Sequence, residues 1–347
     1  MTAGREVAEP GEVPIPQRIA VLGAGSWGTT FAKVLVDAGR DVVLWARRDG
    51  VARAINIDRV NPDYLPGIEL PAGLRATADL DEATAGAEAV AVAVPSQSLR
   101  ENLVVFRDIM PRRGPVVSLA KGIEVGTGLR MSEVIAGVGR IDQDRVVVLT
   151  GPNLALEIAA GRPTATALAC RDHAAAVAIQ HASGTPYFRP YTITDVVGAE
   201  IAGTGKNVIA LACGIADGLG LGLNIVASLI TRGLNELTAL GVALGGEAAT
   251  LAGLSGLGDL VATCSSPLSR NRSFGARLAS GMGVDEALSA SGPQIAEGVV
   301  SCRSMRDLGH RAGVELPITE AVYRVCYQHL PPTEMVPMLM TRPYTPE

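Results

Sequence analysis

The segment from Arg18 to Leu35, RIAVLGAGSWGTTFAKVL, constrains the fold of this chain more than any other segment. A short apolar run, Ile19–Leu22, leads directly into the six residues GAGSWG, which match the pattern G-x-G-x-x-G, and an amphipathic stretch follows. In such a turn one glycine allows the tight bend, one lets the backbone approach a pyrophosphate, and one lets the helix pack on the strand. The helix N-terminus then faces the phosphates. The segment therefore predicts a strand, a dinucleotide-binding turn and a helix.

Short apolar runs alternate with helical segments as far as about residue 192, which is typical of a doubly wound parallel sheet. From Asp195 to about Leu330 the sequence has helical spacing and is rich in alanine, leucine and glycine. We therefore predict an α/β Rossmann-type doubly wound parallel sheet followed by an all-α C-terminal domain. The strand-like runs are Ile19–Leu22, Val42–Trp45, Ala89–Val94, Val116–Ala120, Val146–Leu149, Thr166–Ala169 and Tyr187–Thr192.

The expected division of the chain has four parts. Residues 1–17 are rich in Pro, Gly and Glu and are expected to form a flexible leader. Residues 18–192 are assigned to the Rossmann domain and residues 193–335 to a helical domain with substrate-binding and catalytic groups. Residues 336–347 are expected to form an irregular tail, because the chain from Pro331 onward carries many prolines.

Composition excludes several classes of protein. With 48% hydrophobic and 19% charged residues, the chain is neither disordered nor fibrous, and its net charge of −5 argues against nucleic acid as a partner. The apolar stretch Val208–Ile230 is interrupted by Asp217, Asn224 and glycines, so we expect a helix or a helix pair in a soluble core and no stable membrane insertion. The five cysteines show no metal-ligand spacing. We expect reduced, buried thiols, no metal site and a cytoplasmic location.

Polar residues follow several predicted strands, at the edge of the sheet where ligands bind in such folds. Lys121 comes directly after one strand, and Gly151-Pro152-Asn153 follows the next. A lysine at this place would point its charge into the cofactor crevice. The alternative is a solvated loop lysine.

The residues after the second strand bear on the choice of cofactor. An NAD site usually has Asp or Glu there, whereas arginine accommodates the 2′-phosphate of NADP. This chain has Arg47 and Arg48, followed by Asp49. We therefore expect that NADPH is the preferred cofactor. Because Asp49 follows the arginines, NADH remains an alternative cofactor.

Lys206 is the only base between Val196 and Thr231. An ammonium on an apolar helix is costly to bury and shifts its pKa readily, so Lys206, followed by Asn207, is a candidate acid/base. The alternative is a lysine that reaches solvent at the start of a helix.

A second polar cluster lies in residues 253–272. Asp259 and Thr263 are spaced i, i+4 and would share a helix face, and the sequence SRNR at 269–272 places four donors in a row. Guanidinium, hydroxyl and amide groups suit a phosphorylated small substrate, although a charged exposed turn is the alternative. Further on, Glu297 is placed either to cap a helix or to meet a ribose.

Taken together, these segments resemble NAD(P)-dependent glycerol-3-phosphate dehydrogenase of the bacterial, soluble biosynthetic type over roughly residues 18–335. The matching segments occur in the family's order, which makes the resemblance specific. They are GAGSWGTTFA at 23–32, WARR at 45–48, NPDYLPG at 61–67, VPS at 94–96, KG at 121–122, GPNLALE at 151–157, GKNVIALACG at 205–214, GLGLNIVASLITRGLNE at 220–236, GLGDLVATC at 256–264, SRNR at 269–272 and EG at 297–298.

The resemblance implies reduction of dihydroxyacetone phosphate to sn-glycerol 3-phosphate, with NADPH or NADH, for phospholipid synthesis. Lys206 is then the acid/base, with Asn207 and Thr263 in support. The implied substrate residues are Lys121, Gly151, Asn153, Asp259, Ser269, Arg270 and Asn271. The implied cofactor residues are Gly23, Gly25, Ser26, Trp27, Gly28, Arg47, Arg48, Lys121, Ala155, Arg270 and Glu297.

Two positions depart from the family pattern. Asn153 stands where many members have serine, and Gly205 stands where many have leucine before the catalytic lysine, which leaves the helix start open. Another Rossmann-plus-helical oxidoreductase, acting on a hydroxy acid or sugar acid, and a protein that senses NADPH without turnover are the rival interpretations. The high apolar content of the helical domain is compatible with a homodimer.

Overall fold

The computed structural model describes residues 14–290 and 296–341. Its N-terminal part contains an eight-stranded sheet in the order β3-β2-β1-β4-β5-β6-β7-β8. The strands are β1 (Arg18–Leu22), β2 (Asp41–Trp45), β3 (Arg75–Thr77), β4 (Ala89–Val92), β5 (Val116–Ser118), β6 (Val146–Thr150), β7 (Thr164–Ala169) and β8 (Phe188–Ile193). The strand order reverses between β1 and β4, and the crevice at such a point is where ligands bind. The predicted doubly wound sheet is confirmed.

Helices cover both faces of this sheet. They are α1 (Ser26–Asp37), α2 (Asp49–Arg53), α3 (Leu80–Thr84), α4 (Leu99–Phe106), α5 (Met131–Gly139), α6 (Ala155–Ala159) and α7 (His173–Ser183), with short 3-10 or π turns at Ala54–Asp58, Ser96–Ser98 and Gln143–Arg145. Alternate residues of β1 pack into cores on opposite faces: Val21 lies in one core with Phe31, and Leu22 lies in the other with Phe106. A strand buried on both faces needs apolar residues throughout, which is why these runs were recognisable in the sequence.

Two features of the sheet differ from the prediction. Strand β7 runs antiparallel to β6, with Leu149 opposite Leu168, whereas all other neighbouring strands are parallel. Strand β3 has three residues at the sheet edge, and only its central residue, Ala76, is buried. Such a strand carries no continuous apolar run, so the sequence pattern does not indicate it.

The C-terminal part is helical in the described residues. It contains α8 (Val196–Gly218), α9 (Leu223–Ala243), α10 (Ala248–Ala252), a π turn (Leu254–Gly258), α11 (Asp259–Ser265), α12 (Arg270–Ala279), α13 (Val284–Ser289), α14 (Glu297–Ala312), α15 (Pro317–Tyr327) and α16 (Pro332–Met340). Helix α8 is buried from Gly198 to Ala216 and forms the axis on which the others pack. The predicted helix pair within Val208–Ile230 is confirmed, because α8 ends at Gly218 and α9 begins at Leu223.

Helices α8 and α9 are both long and apolar enough to cross a membrane by length and composition. The most apolar window of α8 is 89% buried inside the protein, and that of α9 is 33% buried. Helix α8 is therefore a core helix of this fold.

The expected irregular tail is wrong for the residues that the structure describes there. Helix α16 spans Pro332–Met340 and contains Pro337 in its interior. Pro332 at the first turn is favourable, because that position needs no backbone donor. Met335 is fully buried against the helical core, which offsets the hydrogen bond that Pro337 cannot make. Residues 342–347 lie outside the described residues, as do residues 1–13 of the expected leader.

Candidate active site

Lys206 lies in the middle of α8, where packing on all sides keeps its side chain only 10% exposed. Its ammonium donates to the Asp259 carboxylate and, over 2.9 Å, to Thr263 Oγ1. The predicted i, i+4 pair is confirmed, since Thr263 also donates to Asp259 from the same helix, α11, over 3.2 Å. The alternative of a lysine that reaches solvent at a helix start is wrong, because the helix begins ten residues earlier, at Val196.

The Asp259 carboxylate joins the two parts of the chain. It is 1% exposed, and its second oxygen accepts from Lys121 over 2.6 Å. Lys121 follows β5 and also donates to the Gly151 carbonyl oxygen over 3.1 Å. The alternative of a solvated loop lysine is wrong, because the Lys121 side chain is 13% exposed and paired with Asp259. That Lys121 faces the cofactor stays a prediction. Two ammonium groups and one carboxylate thus meet where the Rossmann and helical parts contact each other.

The charges around Lys206 set its protonation behaviour. Burial disfavours the ammonium and lowers the pKa of Lys206 from 10.5 to about 8. Asp259 opposes this shift, and the neighbouring charge of Lys121 adds to it. An amine with a pKa near the working pH can give and take a proton at comparable cost, which is what an acid/base catalyst needs.

A chain of amide hydrogen bonds runs beside this cluster. Asn271 donates to Asn207 Oδ1 over 2.9 Å and accepts from the Gly298 N–H over 2.8 Å. Asn207 in turn donates to Glu297 at a long 3.4 Å. Asn207 was predicted to support Lys206, but its side chain contacts Asn271 and Glu297, whereas Thr263 contacts the ammonium. Each amide nitrogen has a second N–H, so Asn271 keeps one donor for a ligand.

Glu297 is the first residue of α14, which follows residues 291–295 that the structure does not describe. Burial raises the pKa of Glu297, and the charges of Arg270, Lys206 and Lys121 partly offset that rise. Three cations and two carboxylates therefore face one another in this region. An anionic ligand would complete the balance of charge.

The donors predicted to hold a phosphate lie at the start of α12. Ser269 caps this ten-residue helix by accepting from the Arg272 N–H over 3.3 Å. Arg272 pairs with Asp217 over 2.7 Å, whereas Arg270 is exposed and forms no ion pair with a carboxylate that the structure describes. The start of α12 can therefore bind an anion through Arg270, Asn271 and its first N–H groups. Arg272 does not take part, because it is already paired with Asp217.

Asn153 lies after β6, beside Gly151. Both polar atoms of its side-chain amide are buried without a hydrogen-bond partner among the described residues. Leaving an amide unpaired costs about 1–3 kcal/mol, so two unpaired atoms at this edge of the sheet indicate that a ligand satisfies them. Gly151 has φ +128° and packs on Thr166 at the point where β6 ends, a conformation that a residue with a Cβ rarely adopts.

The glycine turn fits a dinucleotide pyrophosphate. Gly23 has φ +124°, and a Cβ at Gly28 would lie 1.9 Å from the Gly23 carbonyl oxygen, so both positions require glycine. A Cβ at Gly25 would meet nothing within 4 Å, which leaves a concave opening at the N-terminus of the twelve-residue helix α1. The buried Trp27 indole N–H has no partner in the described chain, and Ala155 lies across α1, accepting from Thr30 over 3.3 Å.

Arg47 and Arg48 follow β2, as expected, but they differ in their partners. Arg48 donates to Asp63 over 2.5 Å and lies over the Tyr64 ring, with 5.9 Å between the guanidinium carbon and the ring centroid. Arg47 is exposed and pairs with no carboxylate in the part of the chain that the structure describes. Nothing in the sequence pattern separates the two arginines.

The sequence analysis missed the role of the turn Asn61–Leu65. Asn61 is fully buried and donates to the Ala24 carbonyl oxygen over 3.0 Å and to Thr29 over 2.8 Å. Ser26 donates to the Tyr64 carbonyl oxygen over 2.7 Å. This turn is therefore hydrogen-bonded to the glycine turn. An Asn-Pro pair marks a turn in a sequence, but it does not tell which part of the chain the turn will contact.

A second missed group joins α8 to the Rossmann part. The buried Glu200 carboxylate accepts from the Ser132 N–H over 2.8 Å, from the Ser132 hydroxyl over 2.5 Å and from Arg130 over 3.1 Å. Burial raises the pKa of Glu200. The described residues contain no group of three or more His, Cys, Asp or Glu side chains placed to hold a metal ion.

Comparisons with known proteins agree with this geometry. Residues 18–176 match the model of the NAD-dependent glycerol-3-phosphate dehydrogenase N-terminus, and residues 195–337 match that of the C-terminus. The chain is 56% identical to glycerol-3-phosphate dehydrogenase [NAD(P)+] of Corynebacterium urealyticum over 330 residues, covering 95% of this chain and 99% of that protein. It is 57% identical to the Nocardia farcinica protein of the same name over 335 residues, covering 95% and 99%.

A solved structure is similar throughout. The crystal structure of glycerol-3-phosphate dehydrogenase from Coxiella burnetii aligns with a TM-score of 0.89 at 37% identity, covering 95% of this chain and 100% of that one. Two family models in sequence order, identity above one half over nearly the whole length, and a shared fold confirm the predicted resemblance. This chain belongs to the NAD-dependent glycerol-3-phosphate dehydrogenase family.

Proposed function

We propose that Lys206 is the acid/base of this chain's reaction and that the anion-binding donors around Arg270 hold the phosphate of its substrate. The reaction is the NAD(P)H-dependent reduction of dihydroxyacetone phosphate to sn-glycerol 3-phosphate, which supplies glycerophospholipid synthesis. The observation that carries the proposal is the buried Lys206 ammonium, held by Asp259 and Thr263. The charges of Lys206 and Arg270 both act on Glu297, and Arg270 has no ion-pair partner among the described residues.

The residues of the chain divide the work of this reaction. A nicotinamide cofactor held at this site would supply the hydride for C2 of the ketone. The Lys206 ammonium donates a hydrogen bond to the ketone oxygen, gives it a proton as the C–H bond forms, and becomes a neutral amine. Solvent then returns the proton. In the reverse direction the neutral amine takes the proton from the alcohol. Asp259 and Thr263 hold the nitrogen in place throughout.

The substrate's phosphate is proposed to bind at the start of α12. Ser269, Arg270 and Asn271 supply a hydroxyl, a guanidinium and an amide N–H there, and Lys121 supplies an ammonium on the opposite side of Asp259. Holding the phosphate fixes the distance of the carbonyl from Lys206, so binding energy is used to orient the reacting group. The unpaired amide of Asn153 is proposed to meet the substrate's hydroxyl.

The cofactor is proposed to lie across the strand ends from the glycine turn to Glu297. The pyrophosphate is lined by Ser26, Trp27 and the glycines. The adenosine ribose is lined by Arg47 and Arg48. The nicotinamide end is lined by Ala155, Lys121, Arg270 and Glu297. NADPH is proposed as the preferred form, because Arg47 lies two residues after β2 and has no ion-pair partner among the described residues. Either NAD or NADP use is consistent with the names of the relatives.

The experiment follows NADPH absorbance with purified protein and dihydroxyacetone phosphate, in parallel with NADH and with unphosphorylated dihydroxyacetone. Fast decay with the phosphorylated ketone alone supports the reaction and the anion site together. Equal decay with both ketones would contradict the anion site. Decay with neither ketone would contradict the proposed function and favour a hydroxy-acid or sugar-acid substrate. A KM lower for NADH than for NADPH would contradict the cofactor preference.

A homodimer through the helical part completes the proposal. Helix α9 and the loop before it expose Leu221, Leu223 and Val242, of which Leu223 is 84% exposed. The most apolar window of α9 is only 33% buried, and an apolar helix surface left exposed in this way favours an interface. Sedimentation at several concentrations tests this, and a monomer at all of them would contradict it. We also place the protein in the cytoplasm, in keeping with its free, buried cysteines. Cell fractionation tests that location.

A further inference from the structure

The two arginines after β2 stand in different electrostatic surroundings. Arg48 is paired with Asp63 over 2.5 Å, and both side chains are about half exposed, at 55% and 46%. Arg47 is exposed and has no ion-pair partner within the described residues. In folds of this type the residue after the second strand meets the adenosine ribose, where NADP carries its extra phosphate. A fixed carboxylate, Asp63, therefore stands beside the place where a phosphate dianion would bind.

Asp63 cannot easily move away from this place. The turn that carries it is closed by a bridge between Asn61 and Leu65 and is tied to the glycine turn from both directions. Asn61 donates to the Ala24 carbonyl oxygen, and the Tyr64 carbonyl oxygen accepts from Ser26. The Tyr64 ring holds Arg48 from the other side, at 5.9 Å. Hence the position of Asp63 is set by the same backbone that forms the pyrophosphate site.

We propose that Asp63 is a cofactor-specificity residue that weakens the binding of NADP relative to NAD by pairing with Arg48. This inference rests on the proposed cofactor site. The 2′-phosphate takes Arg47 as its partner and must compete with Asp63 for Arg48. The 2′-hydroxyl of NAD is neutral, and its binding does not depend on whether Arg48 is paired. Asp63 thereby keeps the two cofactors closer in affinity than two free arginines would.

The expected change in the ratio of NADP to NAD affinity follows from the exposure of the Arg48 and Asp63 side chains. Pairs between exposed groups are weak and screened by salt, so removal of the Asp63 charge is expected to change the ratio of affinities by about twofold to fivefold at low ionic strength. The Asp63→Asn variant keeps the size of the side chain and a hydrogen-bond acceptor for Arg48. The turn and its hydrogen bonds to the glycine turn should therefore remain. The change should shrink when salt is raised.

The test measures dissociation constants of NADP+ and NAD+ by isothermal titration calorimetry for the wild type and Asp63→Asn. We expect NADP+ to bind about twofold to fivefold more tightly to the variant, with NAD+ changed less than twofold. Asp58→Asn is the matched control, because it removes the same charge from a nearby exposed residue that pairs with neither arginine. In an Arg48→Ala background, Asp63→Asn should change the ratio less than in the wild type, because only the direct repulsion between Asp63 and the 2′-phosphate is then removed.

Three results would overturn the inference: an unchanged ratio, a ratio shifted toward NAD+, or an equal shift in Asp58→Asn. A shift toward NAD+ would mean that Asp63 holds Arg48 in place for the phosphate. These constants do not depend on turnover, so they separate this inference from the proposed function. If the wild type binds NADP+ but reduces no dihydroxyacetone phosphate, the proposed function fails while the role of Asp63 is still decided by the binding ratio.

Discussion

Lys121 and Asp259 are 138 residues apart in the sequence, and the ammonium of Lys121 donates to the Asp259 carboxylate over 2.6 Å. The same carboxylate accepts from Lys206, so one buried anion holds two cations from different parts of the fold. The chain has three lysines in all, Lys33, Lys121 and Lys206, and two of them meet here. Bringing like charges together in a buried place requires a compensating carboxylate and lowers the pKa of the lysine that is more deeply buried.

Lys206→Met is expected to lower kcat by about 10²–10⁴-fold, because general acid/base groups contribute about that much. The fold should remain, since Asp259 keeps Lys121 as its partner. Steady-state kinetics and circular dichroism measure the two effects. Lys33→Met is the matched control, because Lys33 pairs with Asp37 on α1, away from this cluster. A Lys206→Met enzyme with near wild-type turnover would remove Lys206 from the mechanism.

The two directions of the reaction should depend on pH in opposite ways. The pKa of Lys206 is about 8, so the ammonium needed for ketone reduction is lost as pH rises through that value, and the rate of reduction falls. Alcohol oxidation needs the neutral amine, so its rate rises through the same range. Profiles of kcat against pH in both directions measure this. Parallel profiles in the two directions would contradict the assignment.

Lys121→Met should move these profiles to higher pH. The charge of Lys121 lowers the pKa of Lys206, and its removal leaves Asp259 to stabilise the Lys206 ammonium alone. The midpoint of the kcat profile is the useful measurement, because KM also changes if Lys121 binds ligands. A midpoint that stays in place or moves to lower pH would show that the charge of Lys121 does not act on Lys206.

Arg270→Ala is expected to raise KM for dihydroxyacetone phosphate by about 10- to 100-fold, since a charge-assisted hydrogen bond contributes about 1.5–3 kcal/mol. Arg272→Ala is the matched control, because Arg272 lies on the same helix but pairs with Asp217. Steady-state kinetics at saturating cofactor give both values. Equal increases in KM for the two variants would move the phosphate site away from Arg270.

The strands and the buried Lys206 were predictable from local pattern, because strands buried on both faces need continuous apolar runs and Lys206 is an isolated charge on an apolar helix. The contact partners of these residues were not predictable in this way. Asn207 follows Lys206 directly, yet its side chain bonds Asn271, and Asp63 reaches Arg48 across fifteen residues. Such contacts depend on how separate segments are placed by the fold, and a single sequence carries no local signal for them.

The C-terminal helix α16 is a second case in which tertiary contacts, absent from the local sequence pattern, decide the structure. Proline content predicts irregular structure after residue 335, and Pro337 does remove a helical hydrogen bond. What the pattern could not show is that Met335 finds a fully buried place against the helical core. Tertiary packing overrides propensity here.

Glu200→Ala should destabilise the protein by about 3–5 kcal/mol, because it leaves Arg130 without its buried partner and two Ser132 donors unpaired. Denaturant unfolding measures the loss. Glu133→Ala is the control, since Glu133 pairs with the same Arg130 but is about one-third exposed. A Glu200→Ala protein as stable as the control would show that this contact does not hold α8 to the Rossmann part.

Gly205→Leu is expected to destabilise this chain. Gly205 lies inside α8, and a Cβ there would be 2.0 Å from Leu237 Cδ2 on α9, so the added side chain overpacks the contact by about 1–3 kcal/mol. Leu237 is 1% exposed, and Leu237→Ala alone should cost about 2–5 kcal/mol through the cavity it leaves.

Combined, the two changes should cost less than their sum, because the new leucine on α8 fills the space vacated on α9. Denaturant unfolding of the wild type, both single variants and the double variant measures this coupling free energy. Activity is the second readout, since Gly205 precedes Lys206 and a shift of α8 would displace the ammonium from Asp259. Additive free energies would mean that the two positions do not share one packing site. A compensated double variant with restored kcat would show that this glycine and Leu237 together place Lys206.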